Sequence, residues 1–232
     1  MRKRAPRKRG VDHRGPAPPL LPTTLQRLSR MAMDDEALYT DAEVVGESFA
    51  QSTAKKVTFK RTVLRDLDLT GVRLEKLKLT DVRISNCDLA NAVFREGVID
   101  RVEFIRCRVT GLDLAELLAT NLVFRECSGT LAPFRFASVK RARFEDCVLA
   151  EADFQNATLT DVVFRRCDLR GSLYYGAQVS GTDFRGSNLD DARIRAGDLA
   201  GAMIEPIQVV ALSRSLAVIQ GLVVRDLDDG VT

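Results

Sequence analysis

From Phe59 onward a large apolar residue returns at every fifth position: Phe59, Leu64, Leu69, Leu74, Leu79, Ile84, and so on to Ile204. Only Ala119 and Gly129 fall short in size, and nothing shifts the count. Weaker matches reach back through Phe49 and Val44 to Tyr39. Two residues before each large residue stands a smaller one, among them Val57, Val82, Ala92, Ala142 and Ala177. Two residues after it, turn formers are common: Gly71, Asn86, Asn91, Gly111, Asn121, Asn156 and Gly171.

Period five excludes the ordinary elements. On an α-helix, five residues advance ~500°, so successive large residues point ~140° apart. On a long strand an odd period sends each one to the opposite face. A chain that turns a corner every five residues keeps them all inside. Gly and Asn at the corners fit, because they accept the positive φ that a type II turn demands. Four such sides close one coil of 20 residues. Residues 37–204 then make about eight stacked coils, a rod of roughly 40 Å at the usual inter-strand spacing.

The same ruler sorts the core. One inner column reads Leu64, Ile84, Phe104, Phe124, Phe144, Phe164, Phe184 and Ile204. Ten residues away runs Leu74, Phe94, Leu114, Phe134, Phe154, Tyr174 and Ile194. All five cysteines, Cys87, Cys107, Cys127, Cys147 and Cys167, stand 20 residues apart at a small inward position. The spacing assigns them to the core, as inert buried thiols rather than metal ligands or disulfide partners. Segment 128–136 is the weak stretch, since Gly129 leaves a gap and Pro133 cannot donate a ladder hydrogen bond. A bulge or kink is expected there.

Segments such as "ADFQN", "CDLRG", "TDFRG", "SNLDD" and "GDLAG" resemble the repeating unit of the pentapeptide repeat family. The resemblance covers about residues 37–204. It implies an all-β fold, a right-handed quadrilateral β-helix. One branch of that family mimics duplex DNA, binds DNA gyrase and gives fluoroquinolone tolerance. In many members a C-terminal helix follows the repeats and caps the last coil, and in the gyrase-interacting branch it helps build a two-fold dimer.

The two ends read differently from the body. After Ile204 the period breaks. Pro206 suits the first position of a helix. Ile207, Val210, Ala211 and Leu216 supply its apolar side, and Gly221 can end it. Residues 205–232 are thus expected to hold a capping helix and a short strand at 222–224, with the helix also a candidate dimer surface. Residues 1–36 are basic and Pro-rich, with no apolar period, and disorder is expected. The first 30 residues hold nine Lys/Arg against Asp12 alone, and the only histidine, His13. This charge suits association with nucleic acid. An alternative is that translation begins at Met31 or Met33.

Chemistry is scarce. The repeats contain neither His nor Trp, which removes the Ser/His/Asp and Cys/His nucleophile sets. No cofactor, metal site or enzymatic activity is expected. No apolar run is long enough to span a bilayer, and unpaired cysteines suit a reducing cytoplasm. Function must then lie on the outer surface. Residues 37–204 carry 24 Lys/Arg and 24 Asp/Glu, yet one side is biased. It holds Asp68, Asp88, Glu151, Asp168, Asp190 and Asp191 against Arg108 and Arg170. That side is the candidate interaction face. The expectation is a rigid, non-catalytic scaffold for an unidentified protein partner. The alternatives are a DNA mimic acting on gyrase and nucleic-acid binding through the tail.

Overall fold

The computed structural model describes residues 15–29 and 31–219. The strands are β1 (Gln26–Leu28), β2 (Leu38–Thr40), β3 (Ala42–Val45), β4 (Thr53–Lys55), β5 (Thr58–Arg65) and β6 (Arg73–Glu75). They continue with β7 (Lys78–Ser85), β8 (Val98–Ile105), β9 (Leu118–Arg125), β10 (Ser138–Glu145) and β11 (Thr158–Arg165). A short 3-10 helix (Ala196–Leu199) and the helix α1 (Pro206–Ile219) follow. Every strand pairing is parallel with a 20-residue offset, except that β1 joins the edge of β3. On one side the ladder climbs from Leu38 to Gln178 in seven steps. On the next it climbs from Glu43 to Met203 in eight. The fold is the β-solenoid that the five-residue period requires.

The corners explain the period. Residues two after almost every large inward side chain hold a positive φ: Asp41 54°, Asn91 56°, Gly171 65°, Asp191 56°. At many corners the next amide closes the turn, as Ala92 N donates to Leu89 O at 3.0 Å and Ala152 N to Leu149 O at 3.2 Å. The left-handed residue also donates to the next coil, as Asn91 N does to Thr110 O at 2.8 Å. So the corners interrupt neither the coil nor the inter-coil hydrogen bonding.

Inside, two aromatic ladders rise together. Phe104, Phe124, Phe144, Phe164 and Phe184 stack at centroid distances of 4.5–5.2 Å, with rings within 13° of parallel. Phe134, Phe154 and Tyr174 form the second ladder, at 4.8 and 5.2 Å. The ladders meet edge to face, Phe134 on Phe144 at 6.0 Å and 81°, Tyr174 on Phe184 at 5.5 Å and 84°. Both arrangements suit the ring quadrupole.

Three expectations need correction. First, segment 128–136 keeps the common register: Arg108, Ser128 and Val148 bridge in turn, and Pro133 bridges Asp153. The gap at Gly129 is closed by backbone. A Cβ built there would lie 2.5 Å from the Val109 carbonyl carbon, so the chain has moved into the space a side chain would take. Pro133 forfeits only its own amide bond, and Leu114 N still donates to its carbonyl at 2.8 Å.

Second, residues 15–29 are placed against the solenoid. Ala17 N donates to Asn121 Oδ1 at 3.2 Å, Leu20 N to Asp81 Oδ1 at 2.9 Å, and β1 pairs with β3. For these residues the expectation of disorder weighed the lack of an apolar period and overlooked that prolines cost little entropy to fix; for residues 1–14 it lies outside the described residues. Met31 and Met33 then cover the first-coil end of the core, against Phe49, Phe59 and Leu64.

Third, α1 starts at Pro206 but turns a different face to the core. Gln208 and Leu212 are buried and Leu216 packs on the core, whereas Ile207 and Val210 are exposed and Ala211 is half-buried. The last coil ends in carbonyl groups that need donors. Gln208 Nε2 donates to Phe184 O at 2.8 Å and Ser187 O at 2.7 Å, and its Oε1 accepts from Glu205 N at 2.8 Å. A polar amide therefore seats the helix, with Leu212 and Leu216 one and two turns further along. The expected helix end at Gly221 and the strand at 222–224 lie outside the described residues.

Positive φ costs an ordinary side chain about 1–2 kcal/mol, and Phe136 pays it (φ 57°) with its ring exposed. Phe136→Gly should raise stability by about 0.5–1 kcal/mol, after allowing for the extra freedom of glycine in the unfolded chain. The midpoint of denaturant unfolding reads this, and an unchanged or lower midpoint contradicts it.

Candidate interaction surface

The cysteine column is interior. All five thiols are free and buried. They donate to backbone carbonyls, as Cys127 Sγ does to Phe104 O at 3.5 Å and Cys167 Sγ to Phe144 O at 3.3 Å. The neighbouring Cys127 thiol and burial push Cys147 up to about 12, and Cys87 and Cys167 also shift upward. The Cys107 thiolate would accept hydrogen bonds from both Cys127 and Cys87, which lowers its pKa, but it is 1% exposed. Reagents reach none of these sulfurs without opening the coil.

The acidic candidates fall into two groups. Asp68, Asp88 and Asp168 share one column, bridged in the series Ser48, Asp68, Asp88, Arg108, Ser128, Val148, Asp168 and Asn188. There each carboxylate braces a corner. Asp68 accepts from Thr70 N at 3.0 Å, Asp88 from Ala90 N at 2.9 Å and Asp168 from Arg170 N at 3.2 Å. Such bonds favour the charged form. The Thr70 amide lowers the Asp68 pKa, and the Arg170 guanidinium, ahead of its amide, lowers that of Asp168. Asp88 is paired with Arg108 at 2.9 Å and Asp168 with Arg170 at 2.7 Å. Two of the six carboxylates are therefore neutralised at short range.

Glu151 and Asp191 stand on the following corner column, both at positive φ. With Leu131, Arg170, Gly171 and Arg193 they line one shallow outer groove. Asp190 lies beside it and faces a second groove, between the last coil and α1, with Leu189, Ile207 and Ala211. The structure thus brings Glu151 and Asp191 together with two arginines and leaves Asp68 and Asp88 further down the rod. Among the described residues, no group of three or more His, Cys, Asp or Glu is arranged to hold a metal ion. No described helix is long and apolar enough to cross a membrane.

The surface charges pair between coils. Arg61 meets Asp41, Arg83 meets Glu103, Arg101 meets Asp81 and Arg166 meets Asp146, each pair 20 residues apart. Exposed pairs of this kind add little stability one by one. Their effect here is to leave a nearly neutral, regularly spaced exterior.

The family pattern described as "Pentapeptide repeat region" matches residues 77–154, 97–173 and 120–194, together more than half of the chain. The chain belongs to the pentapeptide repeat family. No curated protein matches it. Among solved structures it is similar to full-length QnrB1, a plasmid-mediated fluoroquinolone resistance protein, at 17% identity over 77% of this chain and 98% of that one, with a TM-score of 0.32. It is also similar to HetL, a pentapeptide repeat protein involved in heterocyst differentiation regulation in the cyanobacterium Nostoc. That match has 16% identity over 72% and 87% of the two chains and a TM-score of 0.27. A third is a pentapeptide repeat protein of the Arabidopsis thaliana thylakoid lumen, at 22% identity over 55% and 75%, with a TM-score of 0.30. At these scores the likenesses carry nothing about function.

Two features escaped the sequence reading. One is Gln208, polar within an apolar segment, which was the signal that it meets backbone at the coil end. The other is the corner column Asp41, Arg61, Asp81, Arg101, Asn121 and Arg141, which alternates acceptor and arginine at 20-residue spacing.

The thiols should resist labelling. A maleimide applied to the native protein should modify none of the five at a rate near that seen in denaturant, where all five should react. Fast native labelling, read by intact mass, would contradict the buried column.

Proposed function

We propose that the protein is a non-catalytic interaction scaffold that binds a protein partner through its outer side and pairs with a second copy of itself through α1. One observation carries the reading. Every large inward side chain is spent on the core, while α1 leaves an unpartnered apolar stripe. Ile207 is 69% exposed, Val210 67% and Val218 58%. These positions fall on one side of the helix, at spacings of three and eight residues. Exposed apolar groups that cluster in this way mark contact surfaces, and a two-fold axis through one helix is the simplest closure. Five free thiols accord with a reducing, cytoplasmic setting.

The groove of Glu151, Asp191, Arg170 and Arg193 supplies mixed charge for a protein partner. A DNA mimic needs a run of unneutralised carboxylates facing a phosphate-binding surface. Asp88 and Asp168 are paired with arginines, so shape and mixed charge suit the exterior better than phosphate mimicry. Nucleic-acid binding by the basic tail concerns nine Lys/Arg, of which only Arg27 lies among the described residues.

Light scattering at micromolar concentration should give a dimer for the intact chain and a monomer for Ile207→Glu with Val210→Glu. A monomeric parent, or a dimer that survives both changes, contradicts the pairing. Capture from host lysate should recover a protein that Glu151→Lys with Asp191→Lys fails to hold. Recovery unaffected by that pair would remove the groove as the binding side.

In a supercoiling assay, the protein should leave DNA gyrase unimpaired at equimolar concentration. Inhibition that disappears on changing Asp68, Asp88 and Asp168 to Lys would restore the DNA-mimic reading.

A further inference from the structure

The segment from Pro16 to Pro22 carries four prolines, at 16, 18, 19 and 22, so only Ala17, Leu20 and Leu21 retain an amide N–H. Two of those three amides are used. Ala17 N donates to Asn121 Oδ1 and Leu20 N to Asp81 Oδ1. Further along, Gln26 N donates to the Asp41 backbone oxygen at 2.9 Å. All three acceptors belong to one corner column and are two coils apart. Pro16, Pro19 and Pro22 are half-buried, as is Leu21 between the last two, while Ala17, Pro18 and Leu20 are exposed. A repeat of three is the period of the polyproline II helix.

The dimensions agree. Three residues of polyproline II advance about 9.3 Å. Two coils of the solenoid advance roughly 9.6 Å at the parallel-strand spacing. The acceptors recur on every second coil because the column alternates, with Arg61, Arg101 and Arg141 on the coils between. Those arginines hold the acceptors in place. Arg101 Nε donates to Asp81 Oδ1 at 2.5 Å and Nη2 to Oδ2 at 2.9 Å, and Arg141 Nε donates to Asn121 Oδ1 at 3.0 Å. Asn121 Nδ2 donates in turn to Asp100 Oδ1 at 2.9 Å, which fixes its carbonyl toward the segment. Asp81 is 5% exposed and Asn121 6%, so both are desolvated acceptors that need their donors.

We propose that this corner groove is a recognition site for proline-rich segments in the polyproline II conformation, and that Pro16–Pro22 of the chain itself is its resident ligand. The groove supplies what such a ligand needs: acceptors at its own repeat for the few amides that remain, and a face for every third side chain. Prolines fix the ligand before binding, so little ordering entropy opposes its docking. A proline-rich segment with free amides at the same three-residue spacing competes for the site and releases the arm.

Amide hydrogen exchange on the intact chain tests the docking. Ala17 and Leu20 should exchange at least about tenfold more slowly than Leu21. Asp81→Asn, which keeps an acceptor, should retain protection at Leu20, and Asp81→Ala should lose it. Asn121→Ala should release Ala17 in the same way while amides of β9 and β10 stay protected. No protection in the parent chain overturns the proposal, and so does protection that survives both alanine changes.

A labelled peptide of residues 15–22 tests recognition. It should bind the full-length chain carrying Pro16→Gly, Pro19→Gly and Pro22→Gly at least about tenfold more tightly than the parent, whose arm competes at high effective concentration. Adding Asn121→Ala should abolish that binding. Equal binding to parent and triple variant, or binding to neither, overturns the proposal.

Discussion

The structure depends on one local conformation, the left-handed residue at every corner. A chain of L-amino acids enters that region at a cost, and this one does so at almost every fifth position from residue 36 to residue 201. The cost is met because the corner amide is not wasted. Glu151 N reaches Arg170 O and Gly171 N reaches Asp190 O, so the residue that bends the chain also binds the next coil. Stacking then aligns identical positions, and the aromatic ladders, the thiol column and the inter-coil ion pairs all follow from that register.

Register also governs the exterior. A residue faces its counterpart 20 positions on, so opposite charges at that spacing cancel, as Arg61 does with Asp41 and Arg166 with Asp146. Composition by side therefore overstates the field. Asp68, Asp88 and Asp168 look like an acidic strip, yet their oxygens brace corner amides and two of them meet arginines. What remains distinctive is where register ends, at α1 and along the corner crossed by the proline segment.

The sequence was legible wherever one residue type had one physical use. Large apolar residues at period five fixed the interior, Gly and Asn marked corners, and Pro206 marked the helix start. Legibility failed where a residue answered to a neighbour distant in the chain. Gly129 reads as a gap, but Val109 fills it with backbone contact. Ile207 and Val210 read as a cap, but the coil-end carbonyls of Phe184 and Ser187 select Gln208. The proline segment reads as structureless because its partners, Asp81 and Asn121, lie 61 and 104 residues from the amides they accept.

The sequence by itself determined the coil length, the inward columns and the burial of the cysteines, since each follows from a period along one chain. Only the tertiary structure decided which charges are cancelled, which face of α1 is free and where the proline segment lies. Those depend on which atoms of separate coils and ends meet in space. A period prescribes what repeats, and the ends and the outer contacts are where repetition stops.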